Sequence, residues 1–562
     1  MMKHLLFALL TVAVFAFAYY HATSPSRSRA TMIFVNGIFY TLDPQNSVAS
    51  ALAIDGNRIA GIGSTEELVS RFPGTPVWDL HGKTVLPGLI DGHAHMYGLG
   101  QLMRSVILVG VGSPEEAASR VRDRILETPA GQWVYGRGWD QNMWPGKNFP
   151  NTSQLDPVSP DHPVVLIRID GHAIWVNSKA MALAGVSRQT ADPPGGKIVR
   201  YPDGSPTGVF IDNARDLIEN FVPTPSNQEI EQSILRAARE CVQYGLTQVY
   251  DMGIDSTEIN IYKKLADENS IPLRIYAAIG APSKTWDAWK SQEPLVGYGQ
   301  GMLTIRAVKM YVDGALGSRG AALVEEYSDD PGNRGLTEND GLLEPELRTA
   351  VEHGFQPCVH AIGDRGNHIV LDVYEKILKS VQAHDVRPRI EHAQVLLPGD
   401  IVRFKSLNVL PSMQPVHATS DMPWAEARLG PERIKSAYAW RSILQTGSVI
   451  IGGSDFPNDH MDPLRGVYAA ITRKDQDGNP PGGWYPEQCM SRLEAVRAYT
   501  EWAAYGGFEE KTKGTLEIGK LADLTVLSKD IFKIPPPEIL STTADLTVVN
   551  GKIVYQRNEP LP

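Results

Sequence analysis

The chain has 562 residues, 42% of them hydrophobic, with 53 Lys plus Arg against 64 Asp plus Glu and a formal net charge of −11. That balance excludes a disordered tail protein, a collagenous repeat and a multi-pass membrane protein. It also speaks against a nucleic-acid partner, because phosphate binding needs clustered Lys and Arg and no such block occurs. Cys241, Cys358 and Cys489 are widely spaced and form no CxxC, which predicts buried thiols rather than a disulfide framework or a Cys-rich zinc site.

Lys3 precedes an unbroken apolar run from Leu5 to Tyr20, and Ala16-Phe17-Ala18 has the small-x-small form of a cleavage site. Residues 1–20 therefore read as a signal peptide that sends the chain along the secretory route. The run is short for a membrane span, which needs about 20 residues. An uncleaved signal anchor is the alternative, and the one arrangement in which this chain would meet a membrane.

From Thr31 the pattern is short strands with tight turns. The apolar pieces around Asn36-Gly37 predict a hairpin. Ala51–Ile54 and Arg58–Ile62 flank Asp55-Gly56-Asn57, and at the far end Asp523–Leu527 and Leu546–Tyr555 repeat the style around Asn550-Gly551. Two such segments bracketing a long middle predict one discontinuous β domain, residues 31–83 with 514–557; two unrelated edge hairpins are the alternative.

The middle alternates strands and helices. Strands are predicted at Thr84–Ile90, Leu246–Asp251, Arg274–Ile279, Leu303–Val312, Phe355–His360, Arg387–His392, Asn408–Met413 and Ser448–Gly452. Most are continuous apolar runs, as in strands buried on both faces of a parallel sheet. Helical stretches such as Asn227–Tyr244 and Glu344–His353 lie between them, and together they predict an α/β fold, a (β/α)8 TIM barrel over residues 84–513. Residues from about 97 to 225 are too long for a βα loop and read as an insertion above the barrel's C-terminal mouth. A doubly wound sheet is the fold alternative, but nothing like GxGxxG follows the first strand.

Chemistry-bearing residues sit at predicted strand ends. An apolar strand runs directly into His93-Ala94-His95. On an extended chain residues i and i+2 share a face, so both imidazoles can reach one divalent metal, zinc being well suited to such donors. His360, His392 and Asp455 repeat the arrangement at later strand ends, and in a barrel those positions converge on the C-terminal face. Lys309 lies within the apolar run Ile305–Val312. A buried ammonium needs a partner or must lose its charge. Reaction with CO2 would give N6-carboxylysine able to bridge two metals; an ion pair with Asp313 is the alternative.

The segments VLPGLIDGHAH, RIDGHAIWVN, VKMYVDGALGSRGA, HAIGD, RIEHAQ and GGSDFP, in that order, resemble the YtcJ-type branch (amidohydrolase family 3) of the metal-dependent amidohydrolases, a branch that includes N-substituted formamide deformylase-like proteins. The resemblance covers nearly all of the chain after Arg29. It implies a TIM barrel with a β-sandwich made from both termini. It also implies that His93 and His95 are first-strand metal ligands, Lys309 the fourth-strand lysine, His360 and His392 the fifth- and sixth-strand ligands, and Asp455 the eighth-strand catalytic aspartate and metal ligand.

These residues suit hydrolysis of a non-peptide C–N bond in a small-molecule substrate: an amide, formamide, carbamate or cyclic amide. One or two divalent ions, zinc the favoured identity, would activate water while Asp455 acts as general base. A deaminase or ester hydrolase on the same site is the alternative, and a non-catalytic regulatory protein on this scaffold is a third reading; a homo-oligomer is compatible with each. In the insertion, Trp139, His172 and Asn177 are candidate substrate contacts because aromatic and polar groups mix there as in ligand-binding walls. Arg319 is a candidate for a substrate carboxylate or for pairing with Asp313, and His417 and Asp421 read as loop residues that reach the pocket.

Overall fold

The computed structural model describes residues 29–169, 171–337, 341–381 and 385–557. The signal-peptide reading of residues 1–20 and Asp170 of the RIDGHAIWVN segment lie outside them. No helix among the described residues is long and apolar enough to cross a membrane. The chain divides into two units: one runs up to His95 and resumes at Ala238, and the other spans Met96–Ala237.

In the first unit eight strands pair in chain order, all parallel. They are β1 (Leu89–Ala94), β2 (Leu246–Ile254), β3 (Arg274–Gly280), β4 (Leu303–Tyr311), β5 (Gln356–Ala361), β6 (Arg389–His392), β7 (Leu410–Met413) and β8 (Ile451–Gly452). The ring is joined at one rim, where Asp455 N–H donates to His93 O at 2.8 Å and His95 N–H to Phe456 O at 2.9 Å. Gly92 permits that closure, because a Cβ there would fall 2.3 Å from Ile451 Cγ2. Ile90, Tyr250, Met252, Tyr276, Ala278, Ala307, Cys358, Leu410 and Ile451 form a buried cluster, so the barrel interior is packed. The fold is a TIM barrel.

The predicted first strand, Thr84–Ile90, is two strands. Thr84–Pro87 pairs antiparallel with Leu524–Leu527 outside the barrel, and β1 begins after Gly88. Gly88 N–H donates to Asp523 O at 2.8 Å, and a Cβ on it would meet Thr247 Oγ1 at 2.3 Å, so the break needs glycine. The outer strands form two sheets. One orders Arg58–Gly63, Ala51–Asp55, Met32–Val35 and Val77–Asp79; the other orders Lys552–Gln556, Ala544–Val549, Leu524–Leu527, Thr84–Pro87, Ile38–Tyr40 and Val48–Ala49. Phe34, Leu52 and Ile54 of the first share a buried core with Phe39, Val85, Leu524, Val526 and Val548 of the second.

The hairpin expected at Asn36-Gly37 does not form. Its two arms pair with different partners in different sheets, so the turn carries the chain across rather than back. Asp55-Gly56-Asn57 and Asn550-Gly551 do close antiparallel hairpins. The difference is that the arms of Asn36-Gly37 find better-buried neighbours than each other, and long-range pairing overrides the turn signal. A bidentate buried pair, Arg274 Nε to Asp523 Oδ2 at 2.7 Å and Nη2 to Oδ1 at 3.0 Å, ties the outer strands to the barrel.

The second unit carries a six-stranded sheet ordered Gly196–Arg200, Pro206–Asp212, Ala173–Val176, Val164–Arg168, Val134–Trp139 and Val106–Ile107. Trp139, Trp144 and Trp175 are buried together in its core. Cys241 and Cys358 are buried free thiols, whereas Cys489, expected to be buried, is only half-buried.

Candidate metal centre

The closed ring converts sequence separation into proximity. His93 is in β1 and His95 follows it; Lys309 is in β4, His360 in β5, His392 ends β6, and Asp455 follows β8. All six line one cavity of about 490 Å³, together with Tyr311, Leu316, His417, Asp421, Trp424 and Asp459. The rings of His93 and His95 lie 5.5 Å apart, and His392 is 4.7 Å from His93 and 4.6 Å from His360, centroid to centroid. His392 and Asp455 adopt φ of +75° and +59°, a region that costs a non-glycine residue about 1–3 kcal/mol and persists only where surroundings enforce it.

Hydrogen bonds orient the imidazoles. His93 Nδ1 lies 2.6 Å from Glu391 Oε2, and Glu391 is gripped by Arg389, Nε to Oε1 at 2.8 Å and Nη2 to Oε2 at 2.9 Å. His95 Nδ1 donates to Met252 O at 2.9 Å and His392 Nδ1 to Gln414 Oε1 at 2.8 Å, because a carbonyl oxygen can only accept. Each ring thus turns Nε2 into the cavity as a lone pair, the usual preparation of a ligating histidine. Asp455 Oδ1 stands 3.1 Å from His95 Nε2 and 3.5 Å from His93 Nε2. His93 Nε2, His360 Nε2 and Asp455 Oδ1 are buried without a hydrogen-bond partner. Such atoms cost about 1–3 kcal/mol each unless something satisfies them. The donor atoms of His93, His95 and Asp455 all lie within 4.8 Å of one another, close enough to share one ion.

Electrostatics favour the ligating forms. Burial, with Lys309 nearby, pushes His93 down to about 4 and His360 to about 3, and burial lowers His392 as well. Burial would raise Asp455, but His95, His93, His392 and His417 outweigh it and hold the carboxylate well below its ordinary range. Burial would lower His95, yet Asp455 raises it, so a proton and a cation compete for the space between them. Burial lowers Lys309 too. Its Nζ lies 5.0 Å from the Tyr311 ring centroid, and no carboxylate among the described residues is within ion-pairing distance. Asp313, its expected partner in the ion-pair alternative, accepts from the N–H groups of Ala322, Ile362 and Gly363 at 2.9, 2.9 and 2.8 Å.

Several functional neighbours escaped the sequence reading. Arg389 and Glu391 are charges in a buried strand, two residues apart and hence on one face, a signal present in RIEHAQ but overshadowed by His392. Asp91 is fully buried, accepts from Ser454 Oγ at 2.6 Å and from the N–H groups of Ser454 and His93 at 3.1 Å each, and is pushed up to about 7 by burial. It clamps β1 to the segment carrying Asp455. His417 and Asp421 reach the cavity from the helix Pro415–Arg433 rather than from a loop.

Two insertion candidates, Trp139 and Asn177, are corrected. Trp139 is fully buried and its indole donates to Leu166 O at 2.8 Å. Asn177 accepts from Val164 N–H and Ala180 N–H at 3.0 Å each and donates to His162 O at 2.7 Å. Both side chains serve the unit's own core and helix cap, not a ligand wall. His172 is exposed, with Nδ1 3.0 Å from Asp212 Oδ1. Arg319 pairs with Asp329 at 2.9 Å, not with Asp313.

An amidohydrolase family model, Amidohydro_3, matches residues 76–555. The putative amidohydrolase YtcJ of Bacillus subtilis (strain 168) is 34% identical over 534 residues, covering 94% of this chain and 99% of that protein. The N-substituted formamide deformylase of Arthrobacter pascens is 26% identical over 550 residues, covering 94% and 98%. An uncharacterized metal-dependent hydrolase from Pyrococcus furiosus superimposes with a TM-score of 0.73 at 27% identity, over 89% of this chain and 100% of that one.

Proposed function

The chain belongs to the amidohydrolase family, and from that premise we propose that it hydrolyses a non-peptide C–N bond of a small molecule, an amide, formamide, carbamate or cyclic amide, with a divalent metal, zinc by preference. The observation that carries the reading is the set of buried, unpartnered atoms, His93 Nε2, His360 Nε2 and Asp455 Oδ1, aimed into one cavity. Imidazole nitrogens and a carboxylate are a donor set that fits such an ion. His93, His95 and Asp455 would hold it, and His360 and His392 stand beside them. When bound, the ion would supply a nucleophilic water at neutral pH and Lewis-acid polarisation of a carbonyl.

The remaining work belongs to the chain. Asp455 takes the proton of the attacking water and returns it to the departing nitrogen, a transfer worth about 10²–10⁴-fold. Asn458 Nδ2, donating to Asp455 Oδ2 at 3.0 Å, fixes that carboxylate. The Glu391–Arg389 pair holds His93 in its ligating tautomer. Tyr311, Leu316 and Trp424 give the cavity an apolar side for the substrate's carbon framework. Lys309, without a carboxylate partner, is the residue we assign to carboxylation. The formamide deformylase relative supports the choice of bond. The apolar run Leu5–Tyr20 supports export by the secretory route, and N-terminal sequencing of the mature protein checks it.

The test is elemental analysis of purified protein and of His93→Ala, with both assayed on formamides, N-acyl amines and cyclic amides. Bound metal and turnover in the parent, with loss of both in the variant, are expected. Undiminished turnover in His93→Ala overturns the reading, and ammonia as the first product would move it to deamination. Intact-mass measurement of an added carboxyl group decides the assignment at Lys309.

A further inference from the structure

The wall of the cavity away from the metal centre is built mainly by one helix. His417, Ser420, Asp421 and Trp424 stand at i, i+3, i+4 and i+7 of Pro415–Arg433, so they share one face, and all four line the cavity. Asp459 joins them from the segment after β8, accepting from the hydroxyl of Ser420 at 3.4 Å.

Gln394 completes this wall, and its amide can face only one way. Nε2 donates to Asp421 Oδ2 at 3.0 Å and to Tyr438 Oη at 3.2 Å, and the Tyr438 hydroxyl itself donates to Asp421 Oδ2 at 2.6 Å. The reverse orientation would set Oε1 against the carboxylate, acceptor against acceptor. Gln394 is only 4% exposed, and its Oε1 accepts from no described residue, so a lone acceptor is left to the cavity that the side chain lines.

The wall therefore offers acceptors and few free donors. Asp421 and Asp459 pair with no described lysine or arginine, and His417 Nε2 lies 3.5 Å from Asp459 Oδ2, too long for a sound hydrogen bond. Arg428, whose guanidinium lies 5.6 Å from the Trp424 ring centroid, is spent on Asp329 and on Gly317 O. Two carboxylates and a carbonyl oxygen beside an aromatic ring match a cationic group that brings its own N–H donors. An anionic group would meet like charge there.

We propose that the substrate carries, apart from the bond to be cleaved, a cationic nitrogen group such as a protonated amine, and that Asp459, Asp421 and Gln394 Oε1 hold it beside Trp424. The inference rests on the hydrolase reading, which places the substrate in this cavity, and adds what the remainder of that substrate must present.

The test uses the full-length, metal-loaded protein and three formamides of one carbon chain: mono-N-formylhexanediamine, N-hexylformamide and N-formylaminohexanoate, with cationic, neutral and anionic ends. The kcat/KM should be about 10–100-fold higher for the cationic member than for the neutral one, the worth of a hydrogen-bonded charge, and lowest for the anionic one. In Asp459→Asn the cationic-to-neutral ratio should fall by about tenfold or more, with bound metal per molecule at the parental value. Binding is read separately by calorimetry with hexylguanidinium, whose nitrogens stay protonated and cannot ligate a metal, against hexylurea, its neutral isostere. The parent should favour the guanidinium by a similar factor, and Asp459→Asn should lose that preference. A parent that treats cationic and neutral members alike, or prefers the anionic one, overturns the proposal. So does an unchanged ratio in Asp459→Asn, or loss of metal from that variant. If Asp459→Asn does not fold, the two comparisons on the parent decide. Failure of the hydrolase reading looks different: no formamide is turned over, and the preference for guanidinium over urea then decides the proposal alone.

Discussion

The insertion and the barrel rim both bury polar side chains, and they treat them in opposite ways. In the insertion, the indoles of Trp139, Trp144 and Trp175 donate to the carbonyls of Leu166, Val111 and Asn151 at 2.8, 2.9 and 2.9 Å, and Asn177 bonds to strand, loop and helix. At the rim, His93 Nε2, His360 Nε2 and Asp455 Oδ1 are equally buried and have no hydrogen-bond partner. Satisfied buried groups stabilise a fold and specify its packing; unsatisfied ones destabilise it unless a ligand completes them. Among these residues the contrast separates side chains that hold the structure from side chains that a bound ion would complete, although both look alike in a list of buried polar positions.

Substitutions can break or sharpen this division. Asp455→Asn should have the largest effect, lowering kcat by about 10²–10⁴-fold, with thermal unfolding little changed; steady-state kinetics beside calorimetry checks it. Trp139→Ala should do the reverse, costing about 3–5 kcal/mol in denaturant unfolding while bound metal per folded molecule stays at the parental value. Loss of metal in that variant would erase the distinction.

A buried charge that is fully paired belongs with the insertion's tryptophans even though it lies on the barrel. Burial would raise Asp523, but Arg274 outweighs it and keeps the carboxyl below its ordinary 3.8. The unfolded chain then takes up the proton first as pH falls, so the pair's contribution is complete above pH 3.8 and fades as pH drops through the folded value below it. Asp523→Asn should cost about 3 kcal/mol at pH 6, and the gap in Tm between it and the parent should narrow in acid with no change in kcat at pH 7. Asn177→Ala should be the mildest, about 1–3 kcal/mol from the buried groups it leaves unpaired, again without effect on turnover of the folded enzyme.

Much of the barrel is legible in the chain. Continuous apolar runs predict its strands to within a few residues, because a strand covered on both faces has no polar side to interrupt it. Several of these runs end on a His or an Asp, and one rule of architecture, that parallel strands in a ring present their C-terminal ends together, suffices to bring His93, His95, His360, His392 and Asp455 to one rim. The failures have a common origin. Asn36-Gly37 has hairpin chemistry, but its arms pair in different sheets. Trp139 and Asn177 sit in a stretch composed like a binding wall, yet their partners are strands and loops of their own unit. Glu391, Arg389 and Asp91 look like charges misplaced in apolar strands until the partners that satisfy them are seen.

Residue type and period thus determine, with no coordinates, which segments become strands, which strands carry metal-competent side chains, and which family the chain resembles, since these depend on local covalent geometry and on burial alone. Tertiary structure alone decides which buried polar atoms are satisfied and which face an open cavity, and whether Asp455 turns one oxygen or both toward histidines. Satisfaction is a pairwise property of atoms hundreds of residues apart, and a few tenths of an ångström separate a hydrogen bond from two ligands awaiting the same ion.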